Sequence, residues 1–261
     1  MNILITSTAY PPSIGVAQLL MHNLAQSLSV RHGVQVISQW DTNRTDWLLG
    51  TTIRAPAVEG SYIIDGIEVS RIATTLAERW RLAPWAAMYY PLQNLALKRI
   101  SNFYKSKLAE LVKDVNIIHN CRIGRAGLSY GSFQLARQKD IPFVLTPVHH
   151  PRWSGWLHRH YMELYRLADA LIALTKAEKR LLCQLGIEER RIFVTGNGPN
   201  LADKSDGKVF RETYNIDAAP MVLFLGQKYP YKGISVLLKA AKIVWWQYPQ
   251  TRFVFIGPRT N

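Results

Sequence analysis

The stretch Met221-Val-Leu-Phe-Leu-Gly-Gln-Lys-Tyr-Pro-Tyr-Lys-Gly233 begins as a short apolar run and turns into a loop bounded by two glycines. Apolar residues then recur at helical spacing from Ile234 to Trp246, and Phe253-Val-Phe-Ile256 forms a second short apolar run. Short apolar runs separated by a helical pattern are typical of strands joined by a helix. The stretch therefore predicts a βαβ unit, the building block of α/β folds.

The N-terminal sequence opens in the same way. Asn2-Ile-Leu-Ile-Thr6 predicts a strand, Tyr10-Pro-Pro-Ser-Ile-Gly15 a loop, and the apolar residues between Leu20 and Leu28 a helix. We therefore expect two successive domains. The predicted boundaries are an N-terminal domain at 1–196, a polar linker at 197–208 and the start of a second domain at 209–261. One βαβ unit buries too little apolar surface to be stable alone, so the second domain is expected to be truncated.

Strands and helices alternate along residues 1–196. Further strands are predicted at Val34–Ile37, Val115–His119, Pro142–Thr146, Ala170–Leu174 and Ile192–Thr195, and a hairpin at Tyr62–Ile72 with its turn at Asp65-Gly66. Alternation of this kind favours a parallel sheet covered by helices on both faces. The predicted fold class is α/β, with one complete Rossmann-like parallel-sheet domain followed by an incomplete second one.

The composition is that of a globular protein with excess positive charge. Of 261 residues, 48% are hydrophobic and 19% charged, and 32 Lys and Arg against 18 Asp and Glu give a formal net charge of +14. This charge favours a polyanionic partner or an anionic membrane surface. The absence of a helix-turn-helix, zinc-finger or RNP pattern argues against nucleic acid. Cys121 and Cys183 match no metal-ligand or redox spacing and are predicted to be buried apolar residues.

The sequence predicts a cytoplasmic protein, either free or attached peripherally to the inner face of the membrane. No apolar run approaches the roughly 20 residues that span a bilayer, and the N-terminus has no basic segment or cleavage site. Residues 76–112 interleave basic side chains with aromatic ones, which are Trp80, Trp85, Tyr89, Tyr90, Phe103 and Tyr104. Such a segment is predicted to bind anionic lipid or to form an acceptor groove. The alternative is a helix pair that packs its aromatics inward.

Five motifs occur in order, each on the predicted type of element. They are Tyr10-Pro-Pro-x-x-Gly15, Asp114-Val-Asn-Ile-Ile-His119, Ile141-Pro-Phe-Val-Leu-Thr146, Ala168-Asp-Ala-Leu-Ile-Ala-Leu-Thr175, and Gly226-x5-Lys232-Gly233 followed by Leu237-Leu-Lys-Ala240. Together they resemble the motifs of the retaining glycosyltransferases of family 4 (group 1), which have the GT-B fold. The resemblance extends over most of the chain.

The resemblance implies transfer of a sugar, with retention of anomeric configuration, from a nucleoside-diphosphate sugar to a hydroxyl group. The acceptor would be a sugar or a lipid-linked molecule, bound by the first domain, and the donor would be bound by the second domain. The resemblance implies no cofactor and no required metal, and no metal-binding residues are predicted.

Four residues are predicted to bind the donor diphosphate: Gly15, Gln227, Lys228 and Lys232. A glycine before a helix lets a phosphate approach the first backbone N–H groups closely. Lys232 precedes a predicted helix, where the dipole gives a cation no reason to lie unless it meets an anion. The resemblance implies that Lys232 neutralises the diphosphate as it leaves. The alternatives are a tight turn at Gly15 and a solvated Lys232.

Three histidines are the predicted catalytic residues. The family commonly has His two positions after the strand-ending Thr; Val148 occupies that position here, so His149 and His150 are the shifted candidates. His119, which ends a predicted strand, is the third. The alternatives are that His149 and His150 are ordinary loop residues and that His119 belongs to the core.

The chain departs from the family pattern at further positions. Gln227 replaces an arginine, Val16 replaces the second glycine of the first loop, and the family's E-x7-E segment would lie beyond Asn261. We therefore expect this chain to be inactive by itself. The competing hypotheses are a non-catalytic fragment or pseudoenzyme that acts as a binding module, and a sugar-nucleotide epimerase of GT-B type. A dinucleotide-dependent enzyme is disfavoured, because its G-x-G-x-x-G pattern is reduced to Gly15.

Overall fold

A computed structural model gives the fold and describes residues 1–42, 47–112, 114–122, 124, 126–151, 153, 155–198 and 204–257. The chain divides into two compact units, Met1–Gly198 and Pro199–Asn261. This division falls inside the predicted linker 197–208, of which residues 199–203 lie outside the described part. The last two residues of that linker, Gly207 and Lys208, already belong to a helix.

Within the described residues, the first unit contains an eight-stranded sheet in the order β3-β4-β2-β1-β5-β6-β7-β8. Its strands are β1 (Asn2–Ala9), β2 (Gly33–Trp40), β3 (Gly60–Ile64), β4 (Ile67–Arg71), β5 (Ile117–Cys121), β6 (Phe143–Thr146), β7 (Ala170–Ala173) and β8 (Ile192–Val194). All neighbours are parallel except β3 and β4, which form the predicted hairpin at Asp65-Gly66. The predicted α/β class, with a Rossmann-like and mostly parallel sheet, is confirmed.

Seven α-helices are described in this unit. They are α1 (Val16–Ser29), α2 (Trp47–Gly50), α3 (Leu76–Ala87), α4 (Gln93–Leu111), α5 (Gly127–Gln138), α6 (Arg159–Leu167) and α7 (Lys176–Gln184). Thr75 begins α3 with a capping box, in which its Oγ1 accepts from the Glu78 N–H and Glu78 Oε2 accepts from the Thr75 N–H. Each such cap satisfies backbone donors that a helix start leaves unpaired.

Apolar side chains cover both faces of the sheet. Along β1, Ile3 and Ile5 pack in one cluster with Met21 of α1, whereas Leu4 packs in the opposite cluster with Tyr104 of α4. Successive strand residues point to opposite faces, so a sheet with helices on both sides needs apolar residues at consecutive positions. Complete burial of each such side chain contributes about 1.5–3 kcal/mol. This two-sided core fixes the positions of the strand ends.

The predicted aromatic segment 76–112 packs largely inward. Tyr89 and Tyr104 are buried, and the Tyr104 hydroxyl lies 2.8 Å from Gln39 Oε1. Lys107 is paired with Glu78 at 3.1 Å. Trp80 and Tyr90 of this segment are exposed. The inward-packing alternative is therefore correct for Tyr89 and Tyr104. No helix in the described ranges is long and apolar enough to cross a membrane.

The predicted burial of the two cysteines is confirmed only for Cys121. Its side chain is 1% exposed, and burial raises the pKa of its thiol to about 12. Cys183 lies on α7 and is partly exposed.

The second unit contains the predicted βαβ unit. Two parallel strands, β9 (Met221–Leu225) and β10 (Arg252–Ile256), pair along their full length, and the helices are α8 (Gly207–Thr213) and α9 (Ile234–Gln247). Many large apolar side chains of this unit remain exposed, among them Leu225, Val236, Ile243 and Trp246.

Candidate functional site

The carboxyl ends of β1, β5, β6 and β7 share one edge of the first sheet. Ligands of open α/β sheets bind outside this edge, where the strand order reverses. Here the order reverses at β1, which pairs with β2 on one side and with β5 on the other. The segments that leave this edge are therefore the first place to look for a site.

The loop after β1 is held by a chain of polar side chains. Tyr10 Oη lies 3.0 Å from His22 Nδ1 of α1, and His22 Nε2 lies 2.9 Å from Asp65 Oδ2 in the hairpin turn. The Tyr62 hydroxyl donates to the Pro11 carbonyl at 2.7 Å. Burial raises the pKa of Tyr10 above its ordinary value, so its hydroxyl stays protonated. These bonds connect the loop to α1 and to the hairpin.

Gly15 lies immediately before α1, with an extended backbone (φ 179°) that any residue can adopt. A Cβ at this position would lie 2.2 Å from Gln18 Oε1, so the glycine leaves room for the Gln18 side chain to fold over the helix start. No described side chain caps α1, and its first turn contains no acidic residue. The helix dipole at this end favours an anion. A phosphate contact at Gly15 remains a prediction.

The loop after β6 contains a strained residue. Val148 has a φ of 44°, in the left-handed region that β-branched residues rarely adopt. Such a conformation costs about 1–3 kcal/mol and persists only where surrounding contacts enforce it. The Val148 carbonyl accepts a 3.5 Å hydrogen bond from Arg122 Nη2, and the next N–H, of His149, donates to Glu178 Oε1 at 2.7 Å. Strain of this kind is concentrated at functional sites.

Glu178 links the loops after β6 and β7. Its backbone N–H donates to Thr175 Oγ1, the cap of α7, while its Oε2 accepts from the Leu174 N–H at 2.7 Å. Its other oxygen accepts from His149. The Glu178 carboxylate thus fixes the backbone of a candidate catalytic histidine.

Arg122 follows β5 directly and is buried, with 1% of its surface exposed. Its guanidinium carbon lies 4.2 Å from the ring centroids of both Trp153 and Tyr161. Its Nε donates to Tyr165 Oη at 3.0 Å. A guanidinium is weakly hydrated and stacks favourably on aromatic faces, so this cage holds the charge in a fixed orientation.

His149 and His150 lie in the same loop with different surroundings. The Nδ1 of His149 is 3.4 Å from Tyr165 Oη, and its half-buried ring meets that ring edge-on. Burial, followed by the charges of Arg122 and His150, lowers the pKa of His149 below its ordinary value. Its imidazole is therefore neutral at neutral pH, with one nitrogen that donates and one that accepts. His150 is exposed, and its ring centroid lies 5.6 Å from that of Trp153.

His119 lies inside the sheet rather than in these loops. Its Nε2 is 2.8 Å from Oγ1 of Thr146 on β6, and the residue is 7% exposed. Burial lowers its pKa to about 4, so the ring is neutral. This position favours the core interpretation, and a catalytic role for His119 remains a prediction.

In the second unit, the Gly226–Gly233 loop leaves the carboxyl end of β9. The Gly226 N–H donates to the Ile256 carbonyl at 2.9 Å. A Cβ on Gly257 would lie 1.9 Å from the Gly226 carbonyl oxygen, so the segments after β9 and β10 approach too closely for a side chain there. Gly233, with a left-handed φ of 82°, ends the loop and begins α9.

Three of the predicted diphosphate-binding residues, Gln227, Lys228 and Lys232, lie in this loop, and Gly15 lies in the first unit. Lys232 is exposed, directly before Gly233, with its Nζ 5.2 Å from the ring centroid of Tyr231. No described side chain caps α9, and its first turn has no acidic residue. A cation and a helix N-terminus are thus adjacent, which suits an anionic ligand.

Sequence reasoning missed Arg122, Tyr165 and the His149 contact of Glu178. Arginine is rarely buried, so a lone Arg after a strand predicts a solvated residue. The available signal was the concentration of Trp and Tyr between 153 and 165, since aromatic faces are what a buried guanidinium requires.

The parallel sheet of the first unit and the βαβ unit of the second are those of a Rossmann-like α/β protein of the GT-B class. The chain belongs to glycosyltransferase family 4, whose family model matches residues 17–203. No curated protein matches the chain.

Solved structures confirm the fold at low sequence identity. HepE of Anabaena in complex with UDP and glucose has a TM-score of 0.64 at 16% identity, covering 99% of this chain and 61% of that one. An E. coli trehalose-6-phosphate structure bound with UDP-2-fluoro glucose has a TM-score of 0.62 at 14% identity, covering 100% and 65%. The UDP-GlcNAc 2-epimerase of Methanocaldococcus jannaschii has a TM-score of 0.56 at 13% identity, covering 99% and 66%. The chain therefore spans less than two thirds of the length of each of these structures.

Proposed function

We propose that the protein is a retaining glycosyltransferase that moves a sugar from a nucleoside-diphosphate sugar to a hydroxyl acceptor. In this proposal the Gly226–Gly233 loop binds the donor diphosphate, and the carboxyl edge of the first sheet binds the acceptor. No metal is required, because Lys232 and the start of α9 neutralise the leaving diphosphate. Membership of family 4 supports the reaction class, and the UDP complexes of structurally similar proteins support a nucleotide-sugar partner.

The observation that carries this proposal is the position of Lys232. A lysine before a helix gains nothing from the helix dipole, yet Lys232 directly precedes Gly233, the residue before α9, and no described side chain caps the first N–H groups of that helix. Negative charge on a departing diphosphate would meet both the ammonium group and the backbone N–H groups. Fixed donors aimed at developing charge lower the barrier without proton transfer.

A sugar-nucleotide epimerase is the second candidate, because UDP-GlcNAc 2-epimerases are among the structurally similar proteins. The two reactions differ in what they consume. A transferase requires an acceptor and releases the nucleoside diphosphate, whereas an epimerase converts the donor sugar without an acceptor.

We further propose that the 261-residue chain does not support turnover by itself. An open groove of about 790 Å³ lies along β10 and is lined by Phe210, Trp245, Phe253 and Phe255 among others. Two strands with an exposed apolar face fall below the size at which a sheet is independently stable. The donor site is therefore expected to need additional packing before its residues are held rigidly.

A lipid-linked acceptor and peripheral membrane contact complete the proposal. They are supported by a group of side chains next to the start of α4, which we call the Trp156 surface. It consists of the exposed Leu92, Leu95, Trp156 and Leu157 and the partly exposed Arg159. Gln93 Nε2 donates to the Leu157 carbonyl at 2.9 Å, and Arg159 Nη2 donates to Asn94 Oδ1 at 3.0 Å. Arg159 also lies 4.2 Å over the Trp156 ring. Exposed tryptophan beside a cation suits an anionic lipid interface.

The test combines binding and turnover. Backbone NMR spectra of the 261-residue chain are recorded with UDP, GDP and ADP, and labelled nucleotide sugars are then incubated with and without simple sugar acceptors. We expect a nucleoside diphosphate to shift the amide signals of residues 226–233 and any product to keep the donor's anomeric configuration. Shifts that avoid this loop for all three nucleotides would contradict the proposed donor site, inversion would contradict retention, and rapid transfer would contradict the lack of turnover. Acceptor-independent conversion of the sugar would establish the epimerase.

A further inference from the structure

The hydrogen bonds around His149 start from Arg122, which can only donate. Arg122 Nε lies 3.0 Å from Tyr165 Oη, and that hydroxyl lies 3.4 Å from His149 Nδ1. A guanidinium has donors only, so the Tyr165 oxygen accepts from Arg122. The single hydroxyl proton is then available to donate, and the ring nitrogen of His149 is an acceptor within reach.

Arg122 cannot easily change this direction. Trp153 and Tyr161, whose rings meet edge to face, each hold a ring 4.2 Å from its guanidinium carbon, and its Nη groups also donate to the carbonyls of Gly124 and Val148 at 3.5 Å. The Tyr165 ring is completely buried, and burial is the main cause that raises its pKa to about 12, so the hydroxyl keeps its proton. The donor order Arg122, Tyr165, His149 is therefore set by groups that do not change protonation near neutral pH.

We propose that Arg122 and Tyr165 are positioning residues that hold neutral His149 with its proton on Nε2, so that His149 acts as a hydrogen-bond donor to a substrate oxygen and not as a general base. The oxygen would be a hydroxyl, a ring oxygen or a phosphate oxygen, each of which accepts from an N–H. This role rests on the proposed transferase function, whereas the position of the proton is inferred from the contacts and does not depend on that function.

The neighbourhood of His149 is consistent with a neutral ring that needs orientation. The titratable groups facing it are Arg122 after β5, His150 on its own loop, Tyr165 of α6 and Glu178 of α7. The Glu178 carboxylate accepts from the His149 backbone N–H and so fixes the backbone, while Tyr165 contacts the ring. Val148, with its strained φ of 44°, directly precedes His149.

The proton position is measured by long-range proton–nitrogen NMR on the full chain labelled with 15N-histidine, with His149 assigned from a His149→Gln spectrum. We expect an unprotonated Nδ1 and a protonated Nε2, and in Tyr165→Phe a mixture of both tautomers. Tyr161→Phe is the matched control: it keeps the ring over Arg122 and removes only a hydroxyl that donates to the Gly124 carbonyl at 3.1 Å. In Tyr161→Phe the tautomer of His149 should be the same as in the wild type.

A proton on Nδ1 in the wild type, or an unchanged tautomer in Tyr165→Phe, would overturn the inference. Backbone spectra of both tyrosine variants verify that they fold.

In sugar transfer by a turnover-competent form, Tyr165→Phe should lower kcat/KM by about 10- to 100-fold, the loss typical of removing an orienting partner from a histidine. His149→Gln, which keeps an N–H donor, should be about tenfold more active than His149→Ala; equal rates would exclude the donor role. Absence of transfer in every form would refute the transferase proposal and leave the tautomer result standing.

Discussion

The Glu178 carboxylate accepts a hydrogen bond from the backbone N–H of His149, with 2.7 Å between Oε1 and N. The same carboxylate accepts from the Leu174 N–H at 2.7 Å. A single side chain thus joins the loops that leave β6 and β7. In each loop a backbone donor depends on it.

Removing this carboxylate should destabilise the first unit. Glu178→Ala leaves both N–H groups without their protein acceptor, and each unpaired buried donor costs about 1–3 kcal/mol. Glu178→Gln keeps one acceptor oxygen and should lie between alanine and wild type. Hydrogen exchange at His149 and Leu174, with the urea midpoint, measures the loss.

Glu189→Ala is the control for that measurement. Its carboxylate pairs with Lys179 at 3.1 Å and its side chain is 76% exposed, so the change should lie within about 0.5 kcal/mol of wild type. If the loss of stability in Glu178→Ala were as small as that in Glu189→Ala, the Glu178 carboxylate would have no anchoring role.

Asp169 should make the first unit more stable above about pH 4 than below it. Burial favours the protonated acid, but hydrogen bonds from Arg137 and the Phe143 N–H, together with the Arg137 charge, hold the pKa of Asp169 below its ordinary range. A carboxyl group whose pKa is lower in the folded than in the unfolded protein stabilises the fold at pH values above its unfolded pKa of about 3.9. This stabilisation is lost as the pH falls through the pKa of the folded state.

Because both side chains are about two-fifths exposed, the pair contributes about 1 kcal/mol or less after solvent screening. The measurement is the urea midpoint of wild type and Asp169→Asn between about pH 2 and about pH 7. This interval brackets the ordinary carboxyl pKa of roughly 4. The difference should be largest near neutrality and vanish at the acid end. Asp140→Asn, at an exposed turn, is the control, and a pH-independent difference would contradict the assignment.

Gly131→Ala should destabilise the packing of α5 on α4. The new Cβ would lie 2.7 Å from Tyr104 Cβ and 3.0 Å from the backbone oxygen of Ser101, and backbone atoms cannot move aside cheaply. Overpacking of this kind costs about 1–3 kcal/mol, which exceeds the helix-propensity gain of about 1 kcal/mol. Thermal unfolding measures the result. Gly207→Ala, in open space at the start of α8, should be neutral or slightly stabilising.

The sheet was predictable because its strands are short apolar runs with clear breaks. Ile117–Cys121 and Ala170–Ala173, for example, differ by only one or two residues from the predicted runs. Side-chain direction was less predictable: Tyr89 and Tyr90 are adjacent in an aromatic and basic segment, yet one is 2% and the other 38% exposed. Which of them faces the core depends on where α3 ends and α4 begins, a detail that periodicity cannot resolve over such a short distance.

The candidate site was predictable at the level of its loops. His149, His150 and Lys232 all follow strand ends, which is where α/β proteins bind ligands. The orientation of His149 depends on Arg122 and Tyr165, which lie far from it in the sequence. Arg122 and Tyr165 can orient His149 only because the Arg122 side chain is buried. Arginine is rarely buried, and a single sequence does not reveal where it is.

Lys232→Ala should lower kcat/KM for sugar transfer in a turnover-competent form of the protein. If Lys232 faces the leaving diphosphate, the loss should be about 2–4 kcal/mol of transition-state stabilisation. Lys239→Ala is the matched control, since Lys239 is also exposed but lies on α9 beyond its first turn. Steady-state rates of the two variants are compared, and equal rates would show that Lys232 is not part of the donor site.

The Trp156 surface should bind vesicles that contain anionic lipid. Arg159 holds its guanidinium over the Trp156 ring, and basic residues near an anionic leaflet contribute about 1 kcal/mol each before salt screening. Co-sedimentation with anionic and neutral vesicles, at low and high salt, should show binding that requires anionic lipid and weakens with salt. The double substitution Trp156→Ser and Leu157→Ser should abolish it, because it removes the apolar part of the surface. Trp246→Ser in the second unit is the control, since Trp246 is 85% exposed but lies outside this surface. No sedimentation at low salt, or equal loss in the control, would rule out membrane contact through the Trp156 surface.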